Sequence, residues 1–166
     1  MPAAKISVDN PHAADVRELL ARHLEFARSH TPPEGIYALG ADDLADPAVT
    51  LFSYRLDGAL LALGALKRLD QRHAELKSMH TAAAARGRGI GRAMVDHLVS
   101  VARDRGYERV SLETGSMPAF APARALYRSA GFVPSGPFGA YCESATSTFM
   151  TLALKPQAGT RPPGRR

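Results

Sequence analysis

Cysteine is almost absent. Cys142 stands alone among 166 residues, which excludes an internal disulfide framework and any site built from several thiolates. Long apolar runs are missing too. The longest, Ala59 to Leu66, falls far short of the roughly 20 residues that span a bilayer. After Met1-Pro2-Ala3-Ala4-Lys5 the chain enters a strand-like segment, without the apolar stretch of a signal peptide. The expectation is a cytoplasmic protein with no membrane partner. A dominant charge sign is also lacking. The net charge is +5, but Arg161, Arg165 and Arg166 lie in 156–166, and five less three leaves an excess of only two. That stretch is rich in Pro, Gly and Arg, has no apolar anchor, and reads as a disordered basic tail. Nucleic acid is therefore not an expected partner. What remains is ordinary: 45% hydrophobic and 22% charged residues suit one domain, residues 1–155, with its own core.

Periodicity orders the domain. Lys5 to Val8 reads as a strand, after which Asp9 or Asn10 caps a helix with Pro11 near its first turn. Val16, Leu19, Leu20, His23, Leu24 and Ala27 give that helix one apolar face. Ser29 to Gly40 is a loop, and Ala41 to Ala45 one short helical turn. Three strands follow. Ala48 to Leu56 ends at Asp57-Gly58, a hairpin turn signal, and Ala59 to Leu69 returns from it. The near-continuous apolar character of the second strand predicts cover on both faces. In the third, Arg72 to Thr81, strict alternation puts Glu75, Lys77, Met79 and Thr81 on one face, with Ala74, Leu76, Ser78 and His80 on the other. A loop, Ala82 to Gly89, opens a helix from Ile90 to about Arg105, striped by Ile90, Met94, His97, Leu98 and Val101 and stopped by Gly106. A strand from Glu108 to Thr114, a helix from Pro118 to Ala130, and strands at Phe132–Val133 and Ser147–Leu154 complete an α/β fold with a mixed sheet.

The chemistry concentrates between Met79 and Arg92. A strand leads into a loop with glycines at 87, 89 and 91 and then into a helix. Such glycines let backbone N–H groups turn inward and let a phosphate approach without a Cβ in its way. The unpaired amides and positive dipole end of the following helix add to an anion site, and Arg86, Arg88 and Arg92 supply cations. A diphosphate suits this combination. Gly-x-Gly-x-x-Gly is absent, so a dinucleotide fold is not supported, and no Gly-Lys-Ser/Thr ending marks a triphosphate loop.

The pattern Arg86-x-x-Gly89-x-Gly91, entering a helix after a strand, resembles the pyrophosphate loop of the GNAT superfamily of N-acetyltransferases. Ala74 to Thr81 resembles the family's fourth strand, and Ala123-Arg124-Ala125-Leu126-Tyr127-Arg128-Ser129-Ala130-Gly131-Phe132 its late helix. Leu112-Glu113-Thr114-Gly115 and Phe138-Gly139-x-Tyr141 further resemble a bacterial subgroup. The chain departs from the family at two places: Phe120 stands where many members carry Asn, and Thr81 where Val is usual.

The resemblance implies a GNAT-like mixed β-sheet with flanking helices in a single domain. It also implies acetyl-CoA as cosubstrate and acetyl transfer to a primary amine of a small molecule or peptide by direct attack in a ternary complex. Cofactor contacts are implied for the backbone of Met79, His80 and Thr81 and for Arg86, Gly87, Arg88, Gly89, Ile90, Gly91 and Arg92. Tyr127 occupies the general-acid position, although its place on the apolar helix face fits a core tyrosine as well. Glu75 stands where some members place a base, although pairing with Lys77 explains it equally. His30, Glu34 and Tyr37 lie on the loop where members build the acceptor site. Homodimers are common among such enzymes. The rival reading is a non-catalytic acyl-CoA-binding or nucleic-acid-associated module using the same basic loop. It needs neither Tyr127 nor Glu75.

Overall fold

The computed structural model describes residues 3–155; the basic tail expected at 156–166 lies outside them. The strands are β1 (Ala4–Val8), β2 (Val49–Leu56), β3 (Ala59–Arg68), β4 (His73–Thr81), β5 (Arg109–Gly115), β6 (Val133–Ser135) and β7 (Ser147–Ala153). The helices are α1 (Ala14–His30), α2 (Ala41–Leu44), α3 (Ile90–Asp104) and α4 (Ala121–Ser129). One seven-stranded sheet has the order β1-β2-β3-β4-β5-β7-β6. Only the β4–β5 pair is parallel. This matches the element order expected from the periodicity. No helix among the described residues is long and apolar enough to cross a membrane.

Helix α1 covers one face of the sheet, where Val16, Leu19 and Leu20 pack with Leu51, Leu63 and Ala65. On the other face α3 and α4 bring Met94, Val95, Leu98 and Tyr127 against Leu66, Leu76, Leu112 and Met150. Cover on both sides is why β3 is apolar from Ala59 to Leu66: Ala62, Leu63, Ala65 and Leu66 are all buried. The β2–β3 hairpin turns at Asp57 (φ 50°) and Gly58 (φ 85°), the positive pair that suits the right-handed twist of its strands.

Four expectations are corrected. Helix α1 begins at Ala14, with no side-chain cap. Asp9 is drawn away from it, because its Oδ2 accepts from Ser53 Oγ at 2.5 Å and Arg55 Nε at 3.1 Å. The α3 stripe is rotated toward Val95, Val99 and Ala102, which leaves His97 half-buried with its ring 5.1 Å from that of Phe52. The last strands are shifted: the short one runs Val133–Ser135 rather than Phe132–Val133, with Pro134 tolerated because β6 is an edge.

The fourth correction matters most. Strict alternation in β4 fails at Ser78, which sits at φ 55°. Leu63 pairs with His80 and Ala65 with Lys77, so two β4 residues oppose Gly64 alone. This β-bulge inverts the side-chain parity beyond it. Met79 leaves the Glu75 face and joins the α3 side, where a Cβ on Gly64 would lie 2.8 Å from both Met79 Sδ and Met94 Cγ. His80 crosses the other way and meets α1.

Candidate active site

The strands β4 and β5 pair only from His73↔Arg109 to Leu76↔Leu112. Beyond that they part, and a cavity of about 520 Å³ opens between them. Lys77, Ser78, Met79, His80 and Thr81 line it from β4, with Glu113, Thr114 and Gly115 from β5. Residues 77–81 have no ladder partner on the β5 side, so their backbone groups facing the opening are free for a ligand.

At one end lies the glycine loop. A one-turn 3₁₀ segment, Ala83–Ala85, delivers Arg86, and Gly87 (φ 76°) and Gly89 (φ 77°) follow in the left-handed region. Nothing approaches within 4 Å of where a Cβ would stand on either. Gly89 caps α3; the first paired amide beyond it is Ala93 N–H, donating to Gly89 O at 3.0 Å. The amides of residues 90–92 are thus left unpaired by the helix. Gly91 has a different role, since its missing Cβ would lie 3.2 Å from Leu126 Cδ2 and 3.6 Å from Thr81 Oγ1. It lets α3 approach α4 and β4.

The three arginines also separate. Arg86 lines the cavity, donates from Nε to Thr81 O at 3.3 Å, and lies 5.9 Å from the Phe26 ring centre. Arg92 lines it too, but its guanidinium is held by Asp96 at 2.9 Å and by Ser129 O at 3.0 Å. Arg88 is exposed and outside the lining. An open glycine turn, unpaired helix amides and a nearby arginine fit a diphosphate. The Ser78 hydroxyl, buried in the lining with no partner, is a polar group waiting for one at the bulge.

Where the strands part, Tyr127 reaches the cavity from α4 while packing in the core at 6% exposure. Burial raises its phenol well above the ordinary value, and the Glu113 charge adds to this. The ring packs against Phe132, with centroids 6.0 Å apart, and the hydroxyl stays protonated near pH 7.

Glu113 received no role from the sequence, yet it is the perturbed carboxyl of the cavity. Burial pushes it up to about 7, with Glu75 raising it further and Lys77 opposing. The buried Ser147 hydroxyl has no aligned hydrogen bond, but lies close enough to favour the carboxylate. Glu75 is elsewhere. It is 3% exposed, outside the lining, accepts from Tyr141 OH at 2.6 Å, and lies 3.3 Å from Lys77 Nζ. The structure does not bring this carboxylate to the opening.

The acceptor-side residues divide as well. Tyr37 lines the cavity and stacks edge-on with Tyr141, centroids 5.0 Å apart. His30 and Glu34 are exposed and outside the lining; His30 Nδ1 lies 2.8 Å from Phe26 O. His23, which the sequence put on the apolar face of its helix, and His80, expected to contribute its backbone, meet in the wall with Nδ1 atoms 3.2 Å apart. Desolvation lowers each to about 4, so both are neutral near pH 7. Phe120 explains its own departure from the family pattern. Its ring lies against Gly115, where any Cβ would collide with it, and stacks on Phe26 at 5.4 Å.

Comparison with known proteins agrees with this architecture. The acetyltransferase (GNAT) family matches residues 13–132. The uncharacterized N-acetyltransferase YsnE of Bacillus subtilis is 44% identical over 149 residues, 90% of this chain and 99% of that protein. The uncharacterized N-acetyltransferase YedL of Escherichia coli is 39% identical, over 88% of this chain and 91% of its own. Among solved structures, a GNAT family acetyltransferase from Elizabethkingia anophelis with acetyl-CoA bound superposes with a TM-score of 0.64 at 17% identity, covering 91% of this chain and 98% of that one. Parted strands, a glycine turn at a helix start and an extended match in sequence converge on one conclusion: the chain belongs to the GNAT family and is an acetyl-CoA-dependent N-acetyltransferase.

Proposed function

We propose that the chain acetylates a primary amine of a small molecule by direct attack, with Glu113 as general base and Tyr127 as general acid. The observation that carries this reading is the position of Glu113: a half-buried carboxyl raised to about 7, facing the same cavity as Tyr127 where β4 and β5 separate. Alkylamines titrate near 10.4, so at neutral pH the acceptor arrives protonated and must lose a proton before it attacks. A base titrating near the working pH balances availability against strength.

Acetyl-CoA supplies the activated acetyl group. The loop from Arg86 to Arg92 holds its diphosphate, with Gly87, Gly89 and the α3 amides in direct contact. The backbone from Met79 to Thr81 takes the arm that leads to the opening. Glu113 accepts the amine proton, and Tyr127 keeps one phenolic proton available on the opposite side. Glu75, outside the lining, is a support for Lys77 and Tyr141 rather than the base.

The test is a steady-state profile of CoA thiol release against a panel of amines. For wild type, kcat/KM should rise with pH through about 7, because Glu113 acts only when ionised. Glu113→Gln should lower the rate by roughly 10²–10⁴ and remove that limb, leaving only a rise set by the amine at higher pH. A variant that keeps the limb near 7 places the base elsewhere.

A further inference from the structure

Glu75 pairs across the sheet with Ser111. Two residues further on, Lys77 and Glu113 stand level on the same face, just where the strands have separated. Both line the cavity. They present opposite charges side by side on the wall that faces α1 and the loop carrying Tyr37.

The lysine is unusual in its burial, with a side chain only 9% exposed. Of its three N–H donors, one points to Tyr141 OH at 2.8 Å and one to Glu75 Oε2 at 3.3 Å. Glu75 is in turn closed off by the Tyr141 hydroxyl. The third donor has no hydrogen-bond partner among the described residues, although the ammonium also lies 5.5 Å from the Tyr141 ring centre. A buried ammonium with a spare donor on a cavity wall is costly unless a ligand completes it. The lining of the same cavity also includes Ile36, Ala38 and Tyr37, whose ring lies 5.0 Å from that of Tyr141, the partner of Lys77.

We propose that the acceptor is an amino acid with an apolar side chain, its carboxylate on Lys77 and its amine on Glu113. This rests on the reading of Glu113 given above. The pairing complements a zwitterion: the carboxylate of the substrate takes the spare N–H of Lys77, and the ammonium gives its proton to Glu113 before attack. A simple amine or a polyamine would satisfy Glu113 and leave Lys77 unmet. Fixing both ends also orients the nitrogen toward the opening.

The experiment measures kcat/KM for L-leucine and L-phenylalanine, for their amides, and for the corresponding amines without a carboxyl group, with putrescine as an unrelated amine. A hydrogen bond to a charged group predicts the acids ahead of the amides by about 10- to 100-fold, mostly in KM. In Lys77→Met/Glu75→Gln, which removes both charges together and so avoids an unpaired buried ion, the ratio of acid to amide should fall toward one. Purely structural damage would lower acids and amides alike and leave the ratio unchanged. Amides equal to or better than the acids in wild type overturn the inference, whether or not the variant folds. Turnover of putrescine without turnover of the amino acids overturns it too, while amine acetylation stands. No turnover of any amine by protein that binds acetyl-CoA counts against the acceptor reading as a whole, and this proposal falls with it.

Discussion

Two ionisable side chains reach the opening between the strands from opposite faces of the sheet, and their environments leave them in different protonation states near neutral pH. Glu113 is raised only to about 7, which leaves it able to take a proton at neutral pH. Tyr127 is raised by burial and therefore keeps its own. Such a separation is what an acid–base pair needs. Replacing Tyr127 with Phe preserves the ring that packs on Phe132, so melting temperature should hardly change. Losing the phenol should lower kcat by roughly 10²–10⁴ with acetyl-CoA affinity retained. Wild-type turnover in that variant would reduce Tyr127 to a packing residue, with water protonating the thiol. Glu113 escaped the sequence for a plain reason. A glutamate in a strand is ordinarily a solvated face, and only desolvation in the folded chain turns it into a perturbed acid. Lys77 and Glu75 were visible as a pair, but spacing alone cannot say which member of a pair meets the ligand.

Among the elements, the glycine loop was the most legible, because φ demands and helix-start amides are local properties. Gly89→Val should strain the cap by about 1–2 kcal/mol, since an L residue resists a φ of 77°. The fold should survive, as no atom lies within 4 Å of the added Cβ, while calorimetry should show at least tenfold weaker acetyl-CoA binding. Unchanged affinity would remove the loop from the cofactor site. What could not be read was the interior of β4. A bulge has no residue signature as strong as Asp57-Gly58, so alternation was carried past Ser78 and put Met79 and His80 on the wrong faces. The consequence is the joint between α1 and β4, the His23–His80 contact. Both imidazoles are held near 4, against 6.5 in the open chain. Between these values the unfolded state binds more protons than the folded one. Stability from this joint is therefore complete above about 6.5 and is progressively lost as pH falls through about 4. Denaturant titrations from pH 7 to 4 should show this slope in wild type and a flatter one in His23→Phe. Parallel slopes would place the acid sensitivity elsewhere.

Across the whole molecule the two faces of the sheet divide the work. The α3–α4 side carries the larger apolar cluster and the helix start of the glycine loop. The α1 side carries the charged and aromatic groups, closed by the segment from Gly136 to Thr146 between β6 and β7. Tyr141 fastens that segment through Glu75 and Lys77, and Phe138 and Phe149 pack around the ring at 5.0 and 5.6 Å. Removing one charge of a buried pair typically costs about 3–5 kcal/mol. Glu75→Gln should therefore lower stability by that order and release Tyr141, raising acceptor KM while acetyl-CoA affinity stays near wild type. Equal losses for both substrates would mean that the two faces are not independent.

The bulge at Ser78 behaves as a frameshift written in three dimensions. Upstream of it β4 is read in one phase, with Leu76 toward α3 and Lys77 on the opposite face; downstream the phase is reversed, with Met79 toward α3 and His80 toward α1. One strand can thus serve two registers of function without a change in its apolar and polar composition. The same strand paired without the bulge, in strict alternation through Ser78, would keep every letter and still send the His80 imidazole in among Met94 and Leu98, while Met79 turned toward α1.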